Sequence, residues 1–90
     1  MFPKILDGAK VLYYTPKDSY GVIYYTTGEV AEYVKYLAIC QYSNAKEEYY
    51  LFRCNEEWEV VGDSIWESID KCMAVANSSH GRNILWIMAK

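Results

Sequence analysis

The sequence predicts an α+β fold, a four- to six-stranded, mainly antiparallel sheet with one main helix packed on one face. Three observations lead there. Between Lys10 and Val61 the chain runs in short segments rich in β-branched and aromatic residues, each cut by turn residues. The connections are short, which favours pairing of consecutive strands as a meander. After Val61 the apolar spacing changes to that of a helix, and the pattern holds for about three turns. Ninety residues form one α+β domain, 1–90, since a second core would leave neither half able to stabilise itself.

Lys10 to Thr15 is the first strand, ended by the turn chemistry of Pro16-Lys17-Asp18-Ser19. Tyr20 to Thr26 follows, and Thr27-Gly28-Glu29 supplies a glycine able to take positive φ. Glu29 to Val34 reads two ways, as the return strand of a hairpin or as an irregular excursion. Lys35 to Tyr42 and Glu48 to Cys54 are strands joined by the loop Ser43-Asn44-Ala45-Lys46. Asn55-Glu56-Glu57 turns the chain into a further strand, Trp58 to Val61.

Ser64-x-x-Glu67 has the form of a capping box, which sets a helix from Ser64 to Asn77. Ile65, Ile69, Cys72, Met73 and Ala76 form its apolar stripe, and Ser78-Ser79-His80-Gly81 breaks it. Ile84 to Met88 is a last strand, placed at a sheet edge or against the helix.

The strands carry one further message. Leu37 and Ile39 lie on one face, while Tyr36, Ala38, Cys40 and Tyr42 lie on the other. Tyr50, Phe52 and Cys54 likewise oppose Tyr49 and Leu51. A sheet wet on one side alternates apolar with polar residues. Here both faces are apolar, and one helix covers only one of them. The second face is therefore either an exposed tyrosine surface or one covered by another chain, and a homodimer or a partner surface is expected there.

The composition, 52% hydrophobic and 17% aromatic, is ample for a core and unlike that of a disordered chain. Net charge is −3, and the nine basic residues are scattered along the sequence, which disfavours nucleic acid. No apolar run reaches the ~18 residues of a membrane span, and the first residues lack the apolar core of a signal peptide. Cys40, Cys54 and Cys72 are odd in number and far apart, as reduced thiols in a cytoplasmic protein would be.

Chemistry-bearing motifs are missing. The cysteines have no metal-ligand spacing, His80 is the single histidine, and neither a nucleophile elbow nor a phosphate-binding glycine loop occurs. No catalytic, metal or cofactor-binding residue is assigned, and no cofactor is expected. The three cysteines read as small buried hydrophobes, His80 as a solvated loop residue, and Trp58, Trp66 and Trp86 as core anchors. Asn77-Ser78-Ser79 matches a glycosylation sequon by chance.

What remains is surface. Tyrosine is a strand former and also a residue enriched at binding hot spots. Glu47, Glu48, Glu56 and Glu57 sit at the two ends of one hairpin, where solvated carboxylates can meet a basic partner. The candidate interface is Tyr36, Tyr42, Tyr49, Glu47, Glu48, Glu56 and Glu57.

Tyr36-Leu-Ala-Ile-Cys-Gln-Tyr42, Tyr49-Tyr-Leu-Phe-Arg-Cys-Asn-Glu-Glu-Trp58 and Val60-Val-Gly-Asp-Ser64 together resemble a group of small uncharacterised bacterial proteins. The similarity spans residues 36 to 76, and the segment from Ser78 to Met88 departs from that group's more acidic tail. The resemblance implies a bacterial source and a shared fold, and brings no activity. By size and charge alone, toxin-neutralising immunity proteins are an analogy. The leading reading is a non-catalytic protein-binding module, immunity- or inhibitor-like. Its rivals are a small enzyme or ligand binder with a helix–sheet pocket near Cys72 and His80, and a structural homo-oligomer.

Overall fold

A computed structural model describes residues 2–90 and has the α+β architecture expected, an antiparallel sheet with one helix on it. The strands are β1 (Ile5–Leu6), β2 (Ala9–Tyr14), β3 (Val22–Tyr24), β4 (Val30–Tyr33), β5 (Tyr36–Gln41), β6 (Tyr49–Cys54), β7 (Val60–Trp66) and β8 (Ile87–Met88). The helix α1 (Ile69–His80) lies between β7 and β8. The main sheet has the order β1-β2-β5-β6-β7, and β8 also pairs with β2. β5, β6 and β7 form a meander, with Ile39 opposite Leu51 and Leu51 opposite Ser64.

β2 joins β5 antiparallel although they are not consecutive, because β3 and β4 leave the sheet as a separate two-stranded hairpin. That resolves the ambiguous segment after Glu29 as a return strand. Thr15 closes the β2–β5 pair: its Oγ1 accepts from the Leu37 amide at 2.9 Å, and its own amide donates to the Leu37 carbonyl at 3.0 Å. The buried hydroxyl oxygen thus has a donor, which reduces the cost of burying it.

The helix begins later than the capping pattern at Ser64 suggests. Ser64, Ile65 and Trp66 belong to β7, paired with Leu51, Tyr50 and Tyr49, and the Ser64 hydroxyl accepts from the Trp66 indole N–H at 2.7 Å. The cap is Ser68, whose Oγ accepts from the Lys71 amide at 3.0 Å. Two serines four residues apart compete for the same role, and strand pairing with β6 removes the first. Ile69, Cys72, Met73 and Ala76 face the sheet as the stripe predicts, whereas Ile65 is exposed on β7. The helix also runs one turn further, to His80, and ends on Gly81 at φ 63°, whose N–H donates to the Asn77 carbonyl.

Two cores lie on the two faces. On the helix side Leu37, Ile39 and Leu51 meet Cys72 and Ala76, with Tyr20, Val34 and Ile84 closing the margin. Ile84 fills this core while Ile87 and Met88 pair with β2, so the last segment does both things the sequence allowed. On the other side Leu6, Ala9, Val11, Ala38, Cys40, Phe52 and Cys54 form a second cluster. Small residues dominate it, and the sheet curls around them.

Aromatic rings from distant parts of the chain then close that face. Phe2 stacks on Tyr14 with centroids 4.0 Å apart, Trp58 stacks on Tyr36 at 3.8 Å and meets Tyr14 edge-on at 6.4 Å. Much of the cover that the apolar pattern assigns to a second chain on this face is thus supplied from within. The protein's own N-terminal segment, its β6–β7 turn and its strand tyrosines cover it.

Candidate functional site

The pair Cys72 and His80 is not assembled. They stand eight positions apart on α1, about 12 Å at 1.5 Å per residue. The Cys72 thiol is buried against the Tyr49 carbonyl, and burial pushes it up to about 11. Burial likewise raises Cys54 to about 12 and Cys40 further still. Thiols held protonated are poor nucleophiles and ligands, so all three act as small hydrophobes. His80 differs from its expected place in a solvated loop. It sits in the last helical turn, half-buried, its ring edge-on to Tyr20 at 6.0 Å. Among the described residues no group of histidine, cysteine and carboxylate side chains could hold a metal ion, and no helix is long and apolar enough to cross a membrane.

The candidate interface residues fall into two groups. Tyr42, Glu47, Glu48 and Tyr49 lie around the β5–β6 connection. Tyr42 belongs to the aromatic face, where its hydroxyl donates to the Asp7 carbonyl at 2.8 Å, while Tyr49 packs on the helix-side core. Tyr36, Glu56 and Glu57 gather at the opposite end of β6. Tyr36 and Tyr42 share a face but serve to cover it, so the sheet tyrosines are structural as much as they are surface.

The turn bearing Glu56 and Glu57 is built by Asn55. This buried amide accepts from the amides of Glu57 and Glu59 at 3.0 and 2.9 Å, and donates from Nδ2 to the Glu59 carboxylate at 2.7 Å. The turn puts Trp58 at φ 63°, a conformation that costs a bulky side chain about 1–2 kcal/mol. The stacking on Tyr36 offsets it. The carboxylates of Glu56 and Glu57 are left pointing to solvent. Glu56 pairs with Lys17; that hydrogen bond is the main reason the Glu56 carboxyl lies below its usual range and the Lys17 ammonium above its own. Both partners are exposed, and the pair contributes little to stability.

Beside this turn stands the β3–β4 hairpin, whose Tyr24 lies on an expected strand and whose Tyr33 falls in the segment that reads two ways; neither is singled out by the sequence. Ile23 turns inward, onto the helix-side core and to within 3.5 Å of the space beside Gly62. By strand alternation Val22 and Tyr24, with their cross-strand partners Tyr33 and Val30, share the outer side. Tyr24 is 61% exposed, Tyr33 57% and Val30 41%, and Tyr25 at the turn is 60% exposed. A hairpin with one side on the core would ordinarily be polar on its other side. This one is apolar and aromatic there.

Glu32 and Tyr33 of the hairpin, Lys35, and Asn55, Glu56 and Glu57 of the turn line one cleft of about 210 Å³. The cleft joins an aromatic surface to three carboxylates. Lys35 already lies over the Tyr33 ring at 5.9 Å, an arrangement in which the ring face attracts a cation. The signal for this site was present in Val22, Tyr24, Val30 and Tyr33, which occupy one side of a hairpin only once the two strands are paired in register. Comparison of the chain with family models, curated proteins and solved structures finds no match.

Proposed function

We propose that this protein is a non-catalytic protein-binding module, of the immunity or inhibitor type, that captures a basic protein segment. The observation that carries the reading is the outer side of the β3–β4 hairpin, where Tyr24, Val30 and Tyr33 remain exposed, with Tyr33 also lining the cleft that holds Glu32, Glu56 and Glu57. Interfaces combine such aromatic anchors with charged rims, the anchors giving affinity and the charges steering and orientation. A partner would lay an apolar side chain against Tyr24 and Tyr33 and set lysine or arginine beside the turn carboxylates. Small size and acidic charge are shared with immunity proteins by analogy alone, and the burial of Cys72 removes the thiol on which the enzyme alternative rests.

The test is capture from the source lysate with three proteins: the parent chain, Tyr24→Ser/Tyr33→Ser, and Glu32→Lys/Glu57→Lys. A basic protein recovered in stoichiometric amount by the parent, and bound at least about tenfold more weakly by both variants, would support the reading. Undiminished capture by the variants would move the interface elsewhere. Recovery of the chain with itself alone would favour the homo-oligomer.

A further inference from the structure

Three of the nine basic residues, far apart along the sequence, meet in the fold. Lys4, Lys10 and Lys90 surround one cavity of about 330 Å³, whose other lining residues are Phe2, Ile5, Val11 and Ala89. Among the described residues no carboxylate side chain lines it, in a chain whose net charge is −3.

The cavity exists because two short strands share one edge of β2. β1 pairs at Ala9 and Lys10, β8 pairs at Tyr13 and Tyr14, and β2 bulges between Val11 and Tyr13. Neither strand spans the bulge, and the gap left at the edge of β2 is lined by Val11. Its walls are fixed. The Val11 amide donates to the Lys4 carbonyl at 3.0 Å, the Ala89 amide donates to the Leu12 carbonyl at 2.9 Å, and Phe2 is held by its stack on Tyr14. Ile5 stands 57% exposed at the rim.

We propose that this gap is a binding site for a small amphiphilic organic anion, its apolar part lying over Val11 between Phe2, Ile5 and Ala89 and its carboxylate or phosphate held by the lysines. The volume falls at the small end of the range of ligand pockets, roughly 300–1,000 Å³. An apolar floor with few polar groups converging at the mouth is the usual division of labour in such sites: apolar contact supplies affinity and the charges fix orientation. Lysine suits the mouth because its ammonium is a mobile point charge on a stem that can lie along the apolar wall. The site is independent of the protein-binding reading and uses none of its residues.

Octanoate is the probe, with octanol as its uncharged twin, and methyl chemical shifts of Ile5, Val11 and Ala89 are the readout. Saturable shifts at those methyls with octanoate, weakening as salt is raised, are expected. Lys4→Gln/Lys10→Gln should weaken binding about tenfold while leaving the melting temperature unchanged, since both lysines are exposed. Ala89→Leu should abolish it by filling the gap with all three lysines in place. Equal binding of octanol would overturn the anion recognition. Equal binding of inorganic phosphate would show a charge patch without a pocket, and no shift at the three methyls would dispose of the site altogether.

Discussion

The two faces of the β5–β6 pair are both dry, and they are closed in different ways. The helix-side face is sealed chiefly by one continuous segment, in which Cys72 and Ala76 bring the α1 backbone close to Leu37, Ile39 and Leu51, while Tyr20, Ile23, Val34 and Ile84 close its margin. The opposite face is sealed piecemeal by rings from Phe2, Tyr14, Tyr36 and Trp58, contributed by the N-terminal segment, two strands and a turn. A helix arrives as a unit and can leave as one. A set of rings that stack on one another and on the sheet leaves only when the strands beneath them part. The face covered by regular structure is therefore the one expected to open first.

Deletion of core volume should break both faces most severely. Leu51→Ala on the helix side and Phe52→Ala on the aromatic side should each cost about 2–5 kcal/mol in chemical denaturation. Equal m-values for the two variants would confirm that the faces unfold together at the global transition. Next in size is Asn55→Ala, which strands the Glu57 and Glu59 amides in a part-buried turn and loosens Trp58 from the aromatic face. A loss of about 1–3 kcal/mol is expected, with the near-ultraviolet aromatic signal falling more than the helical signal.

The helix side should be disturbed selectively by its cap. Ser68→Ala is expected to cost about 1 kcal/mol and Ser64→Ala distinctly less, the reverse of what the capping-box pattern implies. The thiols then compare the faces directly, because Cys72 belongs to one and Cys40 and Cys54 to the other. Under native conditions Cys72 should be labelled ahead of Cys40 and Cys54, in the manner of a sub-global opening. Simultaneous labelling would mean that the helix does not detach independently.

The smallest effect concerns pH. Burial, with Arg53 and Arg82 nearby, holds the His80 imidazole below its ordinary value of 6.5. The unfolded chain therefore takes up the proton first, and stability should fall as pH drops from about 6.5 toward the folded value. His80→Phe should flatten that slope in urea titrations run between pH 7.5 and pH 5, ranges chosen around an ordinary histidine pKa of roughly 6.5.

Much of the sheet was legible in the sequence because β5 and β6 carry unbroken strand patterns between strong turn residues. The errors came where a non-local partner decides. Ser64 and Ser68 both precede helical residues, and only the pairing of Ile65 with Tyr50 shows that the first still belongs to a strand. β1 was invisible because two residues make no period. The need for a second chain was inferred from the apolar character of Ala38, Cys40 and Phe52, and no local pattern announces that Phe2 and Trp58 return to cover them. Tyr36, Glu56 and Glu57 were found as parts of the candidate surface, whereas Tyr24 and Tyr33 required the β3–β4 register. Lys4, Lys10 and Lys90 were illegible as a group, since the chain's two end regions are neighbours only across β2.

That meeting on β2 has a kinetic side. The β5–β6–β7 meander is local and can form quickly, whereas pairing β8 with β2 closes a loop that contains nearly all the rest of the chain. The entropy of that closure is lost in full for two residue pairs, Tyr13 with Met88 and Tyr14 with Ile87. The seam between β1 and β8 is thus the last part of the molecule to assemble, and anything that lodges in it acts as a latch on the finished fold.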